Sequence, residues 1–219
     1  MEAHTVIVVA GGGVRGQPLP GPLPDNATVI AADSGVDRAL SLGLHVDVAI
    51  GDFDSVSPEG LTAVEAAGAR VERHPPDKDA TDLELALDVA IALRPARIVV
   101  VGSSGGRLDH LLGSVLLLGH ERYAGAEIDA YLGTARSHIV HSSRALTGTP
   151  GELVSLLPLR GAAEGVTTRG LEYELEHETL PASTSRGTSN VLTAAEAQIT
   201  LERGCLLAVF PGPERQETL

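Results

Sequence analysis

Residues 46–55 read Val-Asp-Val-Ala-Ile-Gly-Asp-Phe-Asp-Ser, an apolar run followed by a tight turn that carries two acidic side chains. The run over 46–50 predicts a buried strand of a parallel sheet, and ligands of open α/β sheets bind just beyond the carboxyl ends of such strands. Asp52 and Asp54 repel each other at that edge, and Mg²⁺ is commonly held by one or two carboxylates together with substrate phosphates. The turn therefore predicts a cation site. As an alternative, Asp52 caps the strand and Asp54 opens the next helix.

Apolar runs typical of strands alternate with helical patterns through the first part of the chain. The predicted strands cover 4–10, 27–32, 46–50, 69–73, 97–101 and 127–132, and the predicted helices cover 36–42, 58–68, 83–93 and a segment through 111–118. Such alternation predicts a parallel sheet with crossover helices. Residues 133–143 are interpreted as the segment that connects this half to the rest of the chain.

The composition changes from about Arg144 onward, where no convincing amphipathic helix follows. Residues 153–157 are apolar and strand-like. Residues 171–175 alternate between apolar and acidic side chains, which is typical of a half-buried strand. Residues 199–210 read as two strands joined by a hairpin turn at 202–204. These short strands and glycine turns predict a small β-sandwich or barrel.

The composition also limits the class of partner. The formal net charge of −13 argues against nucleic-acid and anionic-membrane partners, whose phosphates attract basic surfaces. A phosphorylated small molecule remains compatible, because a bound metal can invert the local charge. The single cysteine, Cys205, excludes an intramolecular disulfide. No apolar run approaches the roughly 18 residues of a membrane span, and the start lacks a basic signal-peptide region. We therefore expect a soluble cytoplasmic protein.

Residues 11–16 formally match the dinucleotide-binding fingerprint. That fingerprint requires a helix to begin in its glycines, so that the helix N-terminus faces a pyrophosphate. Prolines prevent such a helix, at positions 18, 20, 22 and 24. Either a phosphate-facing glycine loop or a plain flexible connection remains.

Residues 102–106 formally match the nucleophile elbow of α/β-hydrolases around Ser104. A hydrolase of that kind also needs an acid and a histidine from later loops, for which Asp129 with His138 or His141 is available. We disfavour this interpretation because it leaves the acidic motifs earlier in the chain without a role.

Residues 77–82, Asp-Lys-Asp-Ala-Thr-Asp, precede a predicted helix. Thr81 and Glu84 form a capping box, in which the hydroxyl and the carboxylate satisfy free backbone N–H groups. Asp82 in the first turn favours the helix dipole. Capping accounts for these residues but leaves the acid-flanked Lys78 unexplained, and a lysine at that place suits a phosphate chain with its metal.

The acidic motifs are predicted to converge. Arg107 and Asp109 follow a glycine loop at another helix start, where they suit phosphate and metal binding, although Asp109 also fits as an ordinary helix-start acid. Asp33 follows a predicted strand, as do Asp52 and Asp54. Strand carboxyl ends and helix starts share one edge of a parallel sheet, so these groups should meet there. They predict Mg²⁺-dependent transfer of a phosphate-containing group, in which cations neutralise developing charge.

Six short motifs resemble those of the thiamine pyrophosphokinase family and occur in the family's order. They are GDFDS (51–55), DKDATD (77–82), GGRLDH (105–110), SLLPL (155–159), GLEYEL (170–175) and GTSN (187–190). Any single motif is weak, but together they cover nearly the whole chain. Three positions depart from the family pattern: Ser34 stands where glycine is usual, Glu172 where lysine is frequent, and Tyr173 where some members have tryptophan.

The resemblance implies a fold and a reaction. The expected fold class is α/β, with an N-terminal parallel-sheet nucleotide-binding domain over 1–143 that binds ATP and Mg²⁺. A small C-terminal all-β sandwich domain over 144–219 follows and binds thiamine. The implied enzyme is a homodimer with active sites at the interface. It transfers a diphosphoryl group from ATP to the hydroxyl of thiamine, which attacks the β-phosphorus, and the products are thiamine diphosphate and AMP.

The resemblance also assigns site residues by motif position. The implied metal–phosphate carboxylates are Asp52, Asp54, Asp82 and Asp109, with Asp33 as a further acid near the transferred group. The implied ATP contacts are Lys78, Thr81 and Arg107. The implied thiamine contacts, contributed across the dimer interface, are Tyr173, Ser189 and Asn190. An aromatic face suits a cationic thiazolium, although residues 188–190 taken alone read as a turn.

Two rival functions stay open. A related diphosphokinase acting on a hydroxymethylpterin shares the acidic motifs, and only the segments 170–175 and 187–190 can separate it from a thiamine enzyme. The other rival is a nucleotide-binding regulator that does not catalyse. The regulator is disfavoured because a protein that has lost its activity does not need the intact residues Asp54, Asp82, Arg107 and Asp109.

Overall fold

A computed structural model describes residues 4–12, 18–103 and 107–213 of the chain. The chain forms two compact units: Met1–Leu117 with Gly125–Gly133, and Leu118–Ala124 with Thr134–Leu219. As the sequence predicts, the fold is mixed α/β, with parallel strands and crossover helices in the first unit and antiparallel strands in the second. None of the helices in these described parts is both long and apolar enough to cross a bilayer.

Among the described residues of the first unit, six parallel strands form one sheet. They are β1 (Thr5–Ala10), β2 (Thr28–Ala32), β3 (Val48–Gly51), β4 (Arg70–Arg73), β5 (Arg97–Gly102) and β6 (Glu127–Leu132). Their order across the sheet is β6-β5-β1-β2-β3-β4, and each neighbouring pair is parallel. The strands predicted for this half are confirmed, and the β-branched runs of β1 and β5 fill the buried interior of the sheet.

The helices of the first unit begin where the sequence predicts. They are α1 (Gly35–Ser41), α2 (Pro58–Ala66), α3 (Asp82–Ala92) and α4 (Leu108–Leu118). Ser57 caps α2, since its hydroxyl accepts a hydrogen bond from the N–H of Gly60 over 3.0 Å. Helix α3 packs over β1, β2 and β3 through buried residues at helical spacing, which are Leu83, Ala86, Leu87 and Ala90.

The chain changes its direction across the sheet between β1 and β5. From β1 it runs outward through β2, β3 and β4, and β5 then lies on the other side of β1. Such a switch point, beyond the carboxyl ends of the strands, is where open α/β sheets bind ligands. Gly12 follows β1 with a φ of 84°, and a Cβ on it would lie 3.6 Å from the Cβ of Ser103, which follows β5. The loops after the two strands therefore meet at the predicted ligand edge.

In the described part of the second unit, eight strands form two antiparallel sheets. They are β7 (Ala135–Val140), β8 (Ser143–Thr147), β9 (Leu153–Pro158), β10 (Ala163–Arg169), β11 (Glu178–Leu180), β12 (Asn190–Val191), β13 (Glu196–Thr200) and β14 (Leu206–Phe210). One sheet has the order β12-β9-β14-β7 and the other β11-β10-β13-β8. Buried side chains from both sheets form one apolar core, which includes Leu146, Leu156, Val166, Ile199 and Phe210.

Two strand predictions for this unit are wrong. Residues 133–143 are not a simple connecting segment, because they contain β7, which pairs with β14. Residues 199–210 are not a hairpin, because β13 pairs with β8 and β10 whereas β14 pairs with β7 and β9. The segment between them therefore carries the chain from one sheet to the other. A short turn between two apolar runs does not reveal whether those runs share a sheet.

Residues 171–175 do not form the predicted strand either. Leu171 and Leu175 are buried, but the side chain of Tyr173 between them is 64% exposed. Backbone groups here bond to side chains: the N–H of Tyr173 donates to Asn190 Oδ1 over 3.0 Å, and that of Leu175 to Thr168 Oγ1 over 2.8 Å. Side-chain acceptors of this kind compete with the hydrogen bonds between strands. The alternation of apolar and acidic residues over 171–175 does not reveal that such acceptors are present.

Candidate active site

Three aspartates cluster at the carboxyl edge of the parallel sheet. Asp33 follows β2, and Asp52 and Asp54 follow the neighbouring strand β3. One carboxylate oxygen from each lies within 4.8 Å of those of the other two. The structure thus brings Asp33 together with the two acids of the GDFDS turn, and oxygen donors at this spacing suit a hard divalent cation.

Gly51 permits the close approach of these acids. This last residue of β3 has a φ of 148°, and a Cβ on it would lie 3.3 Å from the Cβ of Asp33 and 3.2 Å from Oδ1 of Asp82. The backbone N–H of Asp33 donates to the carbonyl of Ile50 over 2.9 Å, which continues the pairing of β2 with β3 into the turn. A side chain at position 51 would push the acids apart.

The environment of Asp33 is unfavourable for a negative charge. Burial raises the pKa of its carboxyl, and the backbone N–H of Ser34 opposes that effect. The negative charges of three neighbours raise this pKa further: Asp82, Asp54 and Asp52. Oδ1 of Asp33 is buried and has no hydrogen-bond partner within the described ranges. A bound cation would relieve both the charge repulsion and the missing contact.

Lys78 contacts Asp52 of the cluster and one further acid, Asp82. Its Nζ lies 3.1 Å from Oδ1 of Asp82 and 3.6 Å from Oδ2 of Asp52, and it donates to the carbonyl of Pro75 over 3.3 Å. Burial disfavours the charged form of Lys78, but hydrogen bonds and charge interactions with Asp82 and Asp52 outweigh it and raise the pKa. Lys78 therefore links α3 to the aspartate cluster and stays protonated.

Thr81 has the capping role that the sequence predicts. It is the N-cap of α3, and its hydroxyl oxygen accepts a hydrogen bond from the N–H of Glu84 over 3.2 Å. The residue is exposed, and a hydroxyl that accepts from the backbone still has a hydrogen to donate. Capping and a contact to a phosphate are therefore compatible at this residue.

Arg107 and Asp109 lie at the start of α4 and pair with each other. The Nε and Nη2 atoms of Arg107 donate to Oδ1 and Oδ2 of Asp109 over 3.2 and 2.6 Å. The pair is exposed, and the guanidinium lowers the pKa of the Asp109 carboxyl. Among the described residues, this pair makes no hydrogen bond or ion pair with the aspartate cluster. Their predicted roles toward Mg²⁺ and phosphate stay predictions.

The three predicted thiamine contacts lie close together in the second unit. The N–H and carbonyl of Tyr173 both bond to the side chain of Asn190. Ser189 precedes β12 with a φ of 57°, and its N–H donates to Oγ of Ser155 over 3.1 Å. The side chain of Tyr173 is exposed, whereas Asn190 is buried. The GTSN and GLEYEL motifs are therefore neighbours in space.

The acid offered for a hydrolase has another partner, and the serine offered as its nucleophile is not described. Asp129 is fully buried, and Nε of Arg97 donates to it over 2.6 Å, which indicates a structural ion pair. Ser104 lies outside the described residues, as do 13–17 of the glycine-rich stretch after β1. The structure gives the hydrolase interpretation no support.

Arg38 is a candidate site residue that the sequence analysis did not single out. It lies half-buried in α1, five residues beyond Asp33, and its Nη1 donates to the carbonyl of Gly12 over 3.2 Å. Burial lowers its pKa, and nothing in the described ranges gives it a carboxylate partner. The sequence offers one sign that could have identified Arg38: it is the single basic residue in the short helix that directly follows Asp33.

The fold and the site together define a class of protein. An acidic cluster with a lysine beside it, placed at the carboxyl edge of a parallel sheet near a switch point, is typical of α/β enzymes that transfer phosphate-containing groups with a metal. Comparisons with known proteins specify the class further. A model of the thiamin pyrophosphokinase catalytic domain matches residues 23–129, and a model of the thiamin pyrophosphokinase vitamin B1 binding domain matches residues 137–206.

Individual relatives agree with these matches. Thiamine pyrophosphokinase from Bacillus subtilis is 29% identical over 218 residues, which cover 94% of this chain and 97% of that protein. The crystal structure of thiamine pyrophosphokinase from Bacillus subtilis matches 96% of this chain and 100% of its own, with a TM-score of 0.83 and 25% identity. A thiamin pyrophosphokinase family protein from Enterococcus faecalis matches 97% of this chain and 100% of its own, with a TM-score of 0.81 and 26% identity. This chain belongs to the thiamine pyrophosphokinase family.

Proposed function

We propose that the aspartate cluster of the first unit is the centre at which this family member makes thiamine diphosphate. The activity is ATP-dependent: a diphosphoryl group passes from ATP to the hydroxyl of thiamine, and AMP is the other product. The observation that supports this location is the meeting of Asp33, Asp52 and Asp54 at the strand ends. No other group of residues in the described ranges forms a comparable acidic centre.

The cluster fits Mg²⁺ in donor type and in charge. Its carboxylate oxygens are hard donors, and the buried oxygen of Asp33 lacks a partner within the described ranges. We assign four carboxylates to Mg²⁺ and the phosphates, namely Asp52, Asp54, Asp82 and Asp109, and Asp33 to a place near the transferred group. Bound Mg²⁺ would neutralise part of the charge on the phosphates.

The chain's own cations then bind the phosphates of ATP. Lys78 keeps its proton and already lies between two acids of the site, so it can contact a phosphate that enters there. The hydroxyl of Thr81 can donate to a phosphate oxygen while it caps α3. Arg107 offers a planar guanidinium that matches phosphate geometry. These contacts orient the β-phosphorus toward the thiamine hydroxyl and stabilise the charge that develops during transfer.

Thiamine is assigned to the second unit. Tyr173 presents an exposed aromatic face to the cationic thiazolium, and Ser189 and Asn190 lie beside it. The matched vitamin B1 binding domain supports this assignment and favours thiamine over a hydroxymethylpterin. We propose an ATP- and Mg²⁺-binding domain over 1–143 and a thiamine-binding β-sandwich over 144–219.

We propose a cytoplasmic homodimer in which each active site takes its ATP side from one subunit and its thiamine side from the partner. This assembly rests on the family resemblance. It explains why the acidic motifs and the thiamine motifs belong to separate units of the chain.

Mass spectrometry of purified protein mixed with ATP, Mg²⁺ and thiamine tests the reaction. We expect thiamine diphosphate and AMP in equal amounts, and their loss when EDTA is added. ADP with thiamine monophosphate would retain the site but overturn the assigned bond. Full activity in EDTA would overturn the metal assignment, and product formation from a hydroxymethylpterin but not from thiamine would overturn the substrate.

A further inference from the structure

Asn190 is held in a way that a simple ligand contact does not require. It is 6% exposed. Its Oδ1 accepts hydrogen bonds from the N–H of Tyr173 over 3.0 Å and from the N–H of Val191 over 2.9 Å, and its Nδ2 donates to the carbonyl of Tyr173 over 2.8 Å. An asparagine side chain has two N–H donors and an oxygen that accepts twice. Three of its four hydrogen-bonding positions are therefore used within the protein.

Tyr173 depends on this one side chain for both of its backbone groups. It lies in a segment without a strand ladder, between the buried side chains of Leu171 and Leu175. Its own side chain is exposed, so packing does not fix the backbone at this residue. Removing the amide of Asn190 would leave the N–H and the carbonyl of Tyr173 without those partners. The backbone from which the ring projects is therefore held by Asn190, next to the N–H of Glu172, which donates to the carbonyl of Val191 over 2.9 Å.

We propose that Asn190 is a positioning residue, which acts on thiamine through Tyr173 by fixing the backbone that presents the aromatic ring. This proposal rests on the assignment of thiamine to Tyr173. A ring that is already held in place loses less freedom when a cation binds on its face, so the fixed backbone increases affinity without a direct contact. Ser189 and Tyr173 then remain as the residues that touch thiamine.

A double-mutant cycle distinguishes positioning from direct contact. We expect Asn190→Ala and Tyr173→Ala each to raise the KM for thiamine about tenfold, with kcat and the KM for ATP unchanged. The double variant should be no worse than Tyr173→Ala alone, because Asn190 has no effect once the ring is gone. Losses that multiply to about a hundredfold would indicate a direct contact and overturn the proposal.

Amide hydrogen exchange of the ligand-free protein gives a second readout that does not involve thiamine. In Asn190→Ala, the amide of Tyr173 should exchange at least about tenfold faster, while the amides of β9 and β14 should keep their rates. Unchanged exchange at Tyr173 would overturn the positioning role. If Asn190→Ala does not fold, Asn190→Ser replaces it, since one shorter hydroxyl then stands in place of the separate amide oxygen and nitrogen that bond the two backbone groups of Tyr173.

Thr168→Val is the matched control. Like Asn190, Thr168 is buried, and its hydroxyl accepts from the N–H of Leu175 in the same segment over 2.8 Å. Its loss should speed exchange at Leu175 and leave the KM for thiamine within about twofold. A normal KM for thiamine in Tyr173→Ala would overturn the location of thiamine, whereas the exchange rate of Tyr173 would still report whether Asn190 fixes it.

Discussion

Asp54 is the exposed member of the aspartate cluster, and its Oδ1 accepts a hydrogen bond from the hydroxyl of Ser55 over 2.7 Å. Asp54→Asn keeps the size and an acceptor oxygen but removes the charge that a metal ligand needs. We expect turnover to fall at least about 100-fold, and the melting temperature to change by less than about 2 °C because the residue is exposed. Steady-state kinetics and thermal unfolding measure the two effects, with Asp25→Asn as a distant exposed control. Wild-type turnover in folded Asp54→Asn would contradict the metal assignment.

Tyr173 tests the location of thiamine at the scale of one side chain. Tyr173→Ala should weaken thiamine binding by about tenfold and leave ATP binding within about twofold, because only the aromatic face is lost. Isothermal titration with each ligand separates the two affinities. Tyr173→Phe keeps the face and serves as the matched control, which should bind thiamine almost as the wild type does. Equal losses for both ligands in Tyr173→Ala would argue against this location.

His141 predicts a dependence of stability on pH. Burial lowers the pKa of its imidazole, and the charge of Arg160 lowers it further against the effect of Glu121. Below the usual pKa, near 6.5, the unfolded chain binds a proton that the folded protein does not, so stability falls as the pH falls. Urea unfolding at pH 7.5 and 5.5 should show a larger loss of stability at the lower pH for the wild type than for His141→Gln. An identical pH dependence of the two proteins would show that His141 does not contribute.

At the scale of elements, the end of β3 is the feature on which the site depends. A Cβ in Gly51→Ala would press on Asp33 and Asp82, at 3.3 and 3.2 Å. We expect kcat to fall at least about tenfold, with a loss of about 1 kcal/mol in unfolding free energy. Gly43→Ala is the matched control, since Gly43 also has a positive φ, of 72°, but a Cβ there would meet nothing within 4 Å. It should lose similar stability and keep its kcat, and equal losses of kcat would refute the role of Gly51.

The elements that the sequence predicts correctly are those whose local signals agree with their surroundings. The buried β-branched runs correctly predicted β1 and β5, and the capping side chain of Thr81 correctly predicted where α3 begins. The wrong prediction over 171–175 came from a segment whose backbone bonds to the side chains of Asn190 and Thr168, which lie elsewhere in the chain. The same limit applies to the site. The positions of the acids after β2 and β3 can be predicted from the strand ends, but the contact of Arg38 with Gly12 depends on how helix α1 lies against the loop after β1.

At the scale of the whole molecule, mixing two impaired variants, assayed at a thiamine concentration well below the wild-type KM, tests the shared active site. Asp54→Asn damages the proposed ATP side, and Tyr173→Ala damages the proposed thiamine side. If each site takes these residues from different subunits, a mixed dimer contains one intact site and one that carries both changes. After subunits exchange, about a quarter of wild-type activity should appear, because about half of the dimers are mixed and one site in each works. No gain in activity after verified exchange would place both residues of a site on one subunit.

The three tyrosines differ in exposure, and the chain contains no tryptophan. Tyr123 and Tyr131 are buried, whereas Tyr173 is 64% exposed. Ultraviolet emission that is sensitive to an added quencher therefore comes mainly from Tyr173, and a nitrating reagent should modify that ring first. Occupation of the proposed thiamine site can consequently be followed optically in the unmodified protein, without an attached dye.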